Sequence, residues 1–460
     1  MEKDTIAAIS TPLGEGGIGI VRISGENAFE IGNKIFRSAQ QKESNFPRPR
    51  YLYHGYIKDM QKNLIDEVLV SFMPAPRTYT RENIVEINCH SGIFTLRAIL
   101  NLVLEEGART AEPGEFTKRA FIKGRIDLSQ AEAVLNMTRA CSEEAVKTAA
   151  KGLHGELTNK VEEIKEKIIN IRAPMEALFD YPDEFATESF DYEATKKELY
   201  ELDREMASLL EGVEKNRAFQ EGVSVAIIGK PNVGKSSLLN AMLQKQRAIV
   251  HEIPGTTRDI LEGYMNLGGY PLKLVDTAGI QRTCDPVEKQ GIELSRKAAK
   301  KAKLLIMVTD GSKDWAGVDQ EIASLKQNDQ GMVIAINKAD LQRKLLTEEV
   351  EKLIPEARVV ETIAIKGEGI KSLEAAVSEQ LDQILGSSNE NSLIVSIRHE
   401  QIIKEAQGSV KNAMEALNYD PLEMVSLELQ HANEKLAEIT GETINEKLLD
   451  KIFSEFCLGK

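Results

Sequence analysis

The chain has 460 residues, 42% apolar and 28% charged. This suits two to four folded domains of roughly 100–200 residues each and excludes a disordered, collagenous or single small-core protein. A net charge of −14, from 58 basic and 72 acidic side chains, is a poor global match to a polyanion, so contact with nucleic acid needs a local basic patch or a second protein.

The N-terminus reads Met-Glu-Lys-Asp and its first apolar run breaks at Thr11-Pro12, unlike a signal peptide. No stretch approaches the ~18 consecutive apolar residues of a membrane helix. A cytoplasmic location without membrane contact is expected. Residues 1–120 mix short apolar runs (Ile18–Ile23, Val68–Met73, Asn83–Asn88) with Pro and Gly turns, the pattern of a small α+β domain. Over 121–219 the composition shifts to Ala, Leu, Glu and Lys. Leu157, Val161, Ile164, Ile168 and Ile171 recur there at helical spacing, which predicts long helices, interrupted at Tyr181-Pro182. Through 220–385, beginning with Val223–Ile228, β-branched runs alternate with helical ones, predicting βαβ units on a mostly parallel sheet. The polar stretch Gly386–Ser392 reads as a linker, and the rest of 386–460 is helical again. The expected architecture is therefore multidomain: an α+β N-terminal domain, an all-α domain made of two segments that pack together, and an inserted α/β domain. Cys89, Cys141, Cys284 and Cys457 stand far apart without a C-x-x-C pair, against a zinc site or a disulfide framework.

The inserted domain carries the strongest chemical signal. Gly229-Lys-Pro-Asn232-Val233-Gly234-Lys235-Ser236 fits G-x-x-x-x-G-K-[ST] between a predicted strand and a helix that opens at Ser237. Backbone N–H groups and the helix N-terminus there bind phosphate, Lys235 reaches the β/γ-phosphates, and Ser236 ligates Mg²⁺. Two further strands end in Asp276-Thr-Ala-Gly279 and Asn337-Lys338-Ala-Asp340. Asp276 is placed for Mg²⁺ water and Gly279 for the γ-phosphate. Asp340 accepts from guanine N1–H and N2–H₂, which adenine cannot offer, so GTP is expected over ATP. Gly255–Asp259 lies where a first switch belongs, with Thr257 as ligand of Mg²⁺ and the γ-phosphate. The residue after Gly279 is Ile280, which cannot orient water where Ras-like enzymes carry Gln. Gln281, Arg282 and Glu288 are the nearby polar candidates, and the residues alone do not choose among them.

With these motifs in place, nearly the whole chain resembles the MnmE (TrmE) family of tRNA-modification GTPases. The resemblance rests on Asp4-Thr-Ile-Ala-Ala with Gly-Ile-Val-Arg22-Ile-Ser-Gly25, on Glu112–Phe121 with Gly124–Glu132, and on the terminal Phe456-Cys-Leu-Gly-Lys460. It implies an N-terminal folate-binding and homodimerising domain, a helical domain and an inserted P-loop GTPase domain. It also implies K⁺ held by Asn232, His251, Ile253 and Thr256, water positioned by Glu288, and a tetrahydrofolate derivative (5,10-methylene or 5-formyl) held by Arg22, Glu86, Arg125 and Lys460. With an FAD-dependent partner in a heterotetramer, such proteins modify the wobble uridine of tRNA. Cys457, beside Lys460, is either a nucleophile at the modification site or a small residue packing beside Phe456.

Departures from the family pattern are local. Ile363-Ala364-Ile365 stands where GTPases usually carry Ser-Ala-Lys, leaving the Ala364 N–H for guanine O6. Gln281, Cys284 and Pro286 break a usually charged run, and Arg81 and Ser91 replace glycines. Lys118, Arg119, Lys123 and Arg125 form the densest basic cluster, a candidate for tRNA phosphates or a solvated helix face. The competing function is a GTP-gated RNA-binding or assembly switch without folate chemistry.

Overall fold

The computed structural model describes the chain except residues 1–3, 40–47, 60, 181–189, 246–248, 251–262, 268, 275–295, 297–298, 387–392, 394–395 and 420. Two units emerge. One comprises Met1–Leu135, Leu153–Glu162 and Glu434–Lys460; the other comprises Asn136–Gly152 and Glu163–Asn433.

The first unit holds a seven-stranded sheet in the order β3-β4-β5-β6-β2-β1-β7. Its strands are β1 (Ile6–Ile9), β2 (Gly19–Ser24), β3 (Phe36–Ser38), β4 (Leu52–Lys58), β5 (Leu64–Met73), β6 (Ile84–Cys89) and β7 (Arg109–Thr110). Only β1–β7 is a parallel pair. Alternation decides which side chains the sheet hides. Val21 and Ile23 of β2 and Val85 and Ile87 of β6 are buried in one apolar cluster with residues of helices Ala28–Ile35 and Ile93–Glu105. Arg22 and Glu86, out of phase with them and opposite each other in register, therefore share the other face.

The C-terminal tail belongs to this unit. Helix Glu446–Ser454 is followed by Phe456, and Phe453 and Phe456 are buried with Leu128, Ala131 and Leu135. Two glycines permit close approach. A Cβ on Gly114 (φ +68) would lie 2.6 Å from the Phe453 carbonyl, and one on Gly459 (φ +88) would lie 2.4 Å from that of Ile9.

In the second unit a seven-stranded sheet runs β14-β13-β12-β8-β11-β10-β9. The strands are β8 (Val223–Ile228), β9 (Ile249–Val250), β10 (Gly263–Leu267), β11 (Tyr270–Leu274), β12 (Leu304–Asp310), β13 (Gly331–Asn337) and β14 (Arg358–Thr362). The five from β14 to β11 are mutually parallel, β10 runs antiparallel to β11, and β9 pairs antiparallel with β10. Every residue of β12 and β13 is buried, as parallel strands covered on both faces require. Helices from before and after this α/β insert pack together: Tyr192–Leu210 lies along Ile397–Tyr419, where Gln407 Nε2 donates to Asp203 Oδ1 at 2.8 Å.

Candidate functional sites

The phosphate-binding loop connects β8 to helix Lys235–Lys245. Its geometry needs unusual backbone: Asn232 takes φ +61, which Asn tolerates better than most residues. Gly234 (φ +102) must be glycine, because a Cβ would lie 2.1 Å from Asn337 Nδ2. The loop carbonyls are held by its own lysine and from the end of β13. Lys235 Nζ donates to Gly229 O (2.9 Å) and Lys230 O (2.7 Å). Lys338 Nζ donates to Asn232 O (2.9 Å), and Asn337 Nδ2 to Val233 O (2.9 Å). Occupied carbonyls fix the loop so that its N–H groups are displayed, the arrangement an anion needs. Burial pulls the Lys235 ammonium below its usual pKa, and a bound polyanion would restore it.

At the ends of β12 and β13 the candidate base-reading residues gather around Asn337 and Lys338. Burial works against ionisation of Asp310, but hydrogen bonds from Lys338 Nζ (2.6 Å) and Ser312 outweigh it and hold the carboxyl below its usual range. Asn337 Oδ1 accepts from Thr362 Oγ1 (3.3 Å) and from the Ala364 N–H (3.0 Å). The last contact refines the expectation for Ala364: its N–H is engaged by Asn337, so reading guanine O6 requires sharing it. Asp340 Oδ2 lies 3.6 Å from Lys366 Nζ. Ser236 and Ser237 open the helix that follows the loop. His251, Ile253, Thr256, Thr257, Asp276, Gly279, Gln281, Arg282, Cys284, Pro286 and Glu288 lie outside the described residues.

The second candidate site stands on the face of the N-terminal sheet opposite helices Ala28–Ile35 and Ile93–Glu105. Arg22 Nε donates to Glu86 Oε1 at 2.8 Å, and Arg22 Nη1 donates to Gly459 O at 3.3 Å. Ser10 Oγ also donates to Gly459 O, at 3.1 Å, so two side chains fasten the tail at one carbonyl. Tyr79, which sequence reasoning missed, has two guanidinium groups within 6 Å of its ring. Arg125 lies 4.6 Å from its ring centroid and Arg22 5.8 Å, while its hydroxyl pairs with Thr117 Oγ1 at 3.0 Å. Its place depends on the loop between β5 and β6, and no local sequence signal marks it. Burial lowers the Lys460 pKa; Cys457 partly opposes it, and the positive charge of Arg22 adds a smaller push in the same downward direction. Cys457 is exposed while Phe456 is buried.

The basic cluster is not a free positive stripe. Lys118 pairs with Asp450 (2.6 Å), Lys123 with Glu82 (3.0 Å), and Arg119 with Asp4, Glu82 and Glu115. Lys118, Arg119 and Lys123 line a cavity of about 590 Å³ with Arg81, Arg109 and the carboxylates of Asp4, Glu82 and Glu115, so their charges are largely paired. Arg81 keeps the turn of the glycine it replaces, at φ +57, and its Nη1 donates to Lys123 O at 2.6 Å.

Comparison with known proteins fits this pairing of sites. The GTP-binding protein TrmE N-terminus matches residues 5–125, and the MnmE helical domain matches residues 128–457. The chain belongs to the MnmE family. The tRNA modification GTPase MnmE of Acetivibrio thermocellus is 44% identical over 461 residues, covering all of both chains. That of Bacillus subtilis (strain 168) is 42% identical over 461 residues, covering 99% of this chain and all of the relative. No described helix is long and apolar enough to cross a membrane.

Proposed function

We propose that this chain is a Mg²⁺- and K⁺-dependent GTP hydrolase. With an FAD-dependent partner, it installs an aminomethyl or carboxymethylaminomethyl group on the wobble uridine of tRNA, drawing one carbon from a methylene-tetrahydrofolate. The observation that carries the reading is the Arg22–Glu86 pair clasped by the Gly459 carbonyl in the same chain as a complete phosphate-binding loop. A guanine-nucleotide switch without folate chemistry has no use for the first.

The residues fit the groups they would hold. Glu86 spends Oε1 on Arg22, and its second oxygen can accept from the amidine-like edge of a pterin. Arg125, Lys460 and the Tyr79 ring supply cations and an apolar plate for the rest of a folate, whose tail is anionic. The folate supplies a one-carbon unit at the oxidation level of formaldehyde. Exposed Cys457 would act as nucleophile near the transferred carbon or the uridine. In the G domain, Ser236 with Thr257 would hold Mg²⁺. The Asn232 amide oxygen, with backbone groups at His251, Ile253 and Thr256, would hold K⁺, a hard cation suited to oxygen ligands. Such a cation offsets charge developing on the phosphates. Asn232 through Ser237, with Thr256, Thr257 and Gly279, line the phosphates; Asp276 orients Mg²⁺ water and Glu288 the attacking water. Asn337, Lys338, Asp340 and Ala364 read guanine.

The proposed division is 1–120 for folate binding and homodimerisation, 220–385 for the G domain, and 121–219 with 386–460 for the helical domain, in a cytoplasmic heterotetramer with the FAD-dependent partner. Folate measured on purified protein by mass spectrometry, together with wobble-nucleoside analysis of tRNA from cells lacking this chain, tests the whole reading. Absence of bound folate with unchanged wobble nucleosides would return it to a GTP-gated RNA-assembly switch.

A further inference from the structure

The connection that follows β12 grips the phosphate-binding loop at two points, and only one belongs to a recognised motif. At its start, Asp310 holds Lys338, whose ammonium caps Asn232 O. At its end, Asp319 in helix Gly317–Ala323 pairs through Oδ2 with Lys230 Nζ at 2.5 Å. Lys230 is the second residue of the loop, and its carbonyl is one of the two that Lys235 Nζ contacts.

Asp319 is poorly equipped to exist for local reasons alone. It is 1% exposed, its Oδ2 accepts from the Ala316 N–H at 2.9 Å, and its Oδ1 is buried with no partner. Accepting the Ala316 N–H from the third position of a short helix needs a side-chain oxygen and not a charge, since Gln serves at that position as Glu does. A buried carboxylate is retained at a solvation penalty that only its cation offsets. That cation reaches in from the loop.

We propose that Asp319 is a positioning residue for GTP binding, acting through Lys230 to hold the first turn of the phosphate-binding loop. The need for such a hold follows from Lys235. When its ammonium turns to the phosphates it releases the carbonyls of Gly229 and Lys230, and the outer tether is what then keeps that peptide segment in place. Lys338 and Asn337 hold only the later carbonyls of Asn232 and Val233. The pair preorganises the loop and does not touch the reacting atoms, so it acts on ground-state and transition-state binding alike.

The test is a double-mutant cycle in the full chain with Asp319→Asn and Lys230→Met, read by GDP and GTP affinity, steady-state kinetics and thermal melting. Asn keeps the Ala316 cap and removes the charge; Met keeps the apolar stem. Each single variant is expected to raise Kd for both nucleotides and KM about tenfold with kcat within about twofold, and the double variant to be no worse than either single. Lys230→Arg, which restores a cation, should recover affinity to within about threefold. Affinities within twofold of the parent in both singles, losses that multiply in the double, or a lowered melting temperature with unchanged KM would each overturn the assignment. If Asp319→Asn fails to fold, the comparison of Lys230→Met with Lys230→Arg decides alone, because the Lys230 side chain reaches the surface.

Discussion

Arg22 and Glu86 face each other because β2 and β6 are antiparallel neighbours in a register that pairs them directly. Each is the one charged residue of its strand, so their contact follows from alternation once the strands are aligned. Glu86→Gln exchanges an acceptor oxygen for a donor that confronts both Arg22 and a pterin. Folate affinity is expected to fall about 10–100-fold, the range for a hydrogen bond to a charged group, with GTP hydrolysis unchanged, measured by equilibrium binding and phosphate release. Asp340 gives a second residue-scale outcome. Its carboxylate matches the two donors of guanine, whereas the Asn amide offers a donor to the carbonyl that xanthine carries at C2. Asp340→Asn should weaken GTP by ~10²-fold or more and shift preference toward xanthosine triphosphate, read by competition binding.

Elements supply what single residues cannot. Glu115 opens the helix Glu115–Ile122 and joins that helix to β7 through Arg109 Nη2 at 2.6 Å, while Arg119 carries the link to Asp4 and Glu82. Burial disfavours the Glu115 charge, but Arg109, the Glu112 N–H and Arg119 outweigh it and bring the carboxyl from its ordinary 4.5 to about 2. A lowered folded-state pKa means stability fully present above pH 4.5 and lost as pH falls toward 2. Glu115→Gln should therefore melt below the parent at neutral pH, and the gap should close between pH 4.5 and 2, followed by melting curves across that range. A gap that persists at pH 2 would assign the loss to packing. In the switch element, Glu288→Ala is expected to reduce kcat by ~10²–10⁴, as for groups that orient or deprotonate water, with GTP affinity nearly intact. Hydrolysis should be fast in K⁺ and slow in Na⁺, which fits the same oxygen ligands poorly; equal rates would remove the cation from the mechanism.

At the scale of the molecule, one chain carries two chemistries that separate by mutation. Cys457→Ser should abolish wobble-uridine modification and leave K⁺-stimulated GTP hydrolysis intact, because the tail packs within the N-terminal unit and the phosphate-binding loop lies in the other. Nucleoside analysis with phosphate-release kinetics checks both arms, and full modification would take the thiol out of the chemistry. The sequence by itself determined the parts governed by local rules. The β-branched run Val223–Ile228 became β8 residue for residue, because β-branched residues followed by Gly favour a strand that ends at that point. The phosphate loop, Asn337 and Lys338 were legible for the same reason: a backbone cradle for phosphate needs its glycines and lysine at fixed spacing. Only the tertiary structure decided the rest. That Lys118, Arg119 and Lys123 are neutralised depends on Asp450, Glu82 and Asp4; that the Tyr79 ring meets both Arg22 and Arg125 depends on a loop between sheet strands; that Asp319 reaches Lys230 depends on which strand β8 has as its neighbour. Each is a contact between residues far apart in the chain, set by sheet order and register, and pairwise electrostatics at that range has no periodicity for a sequence to display.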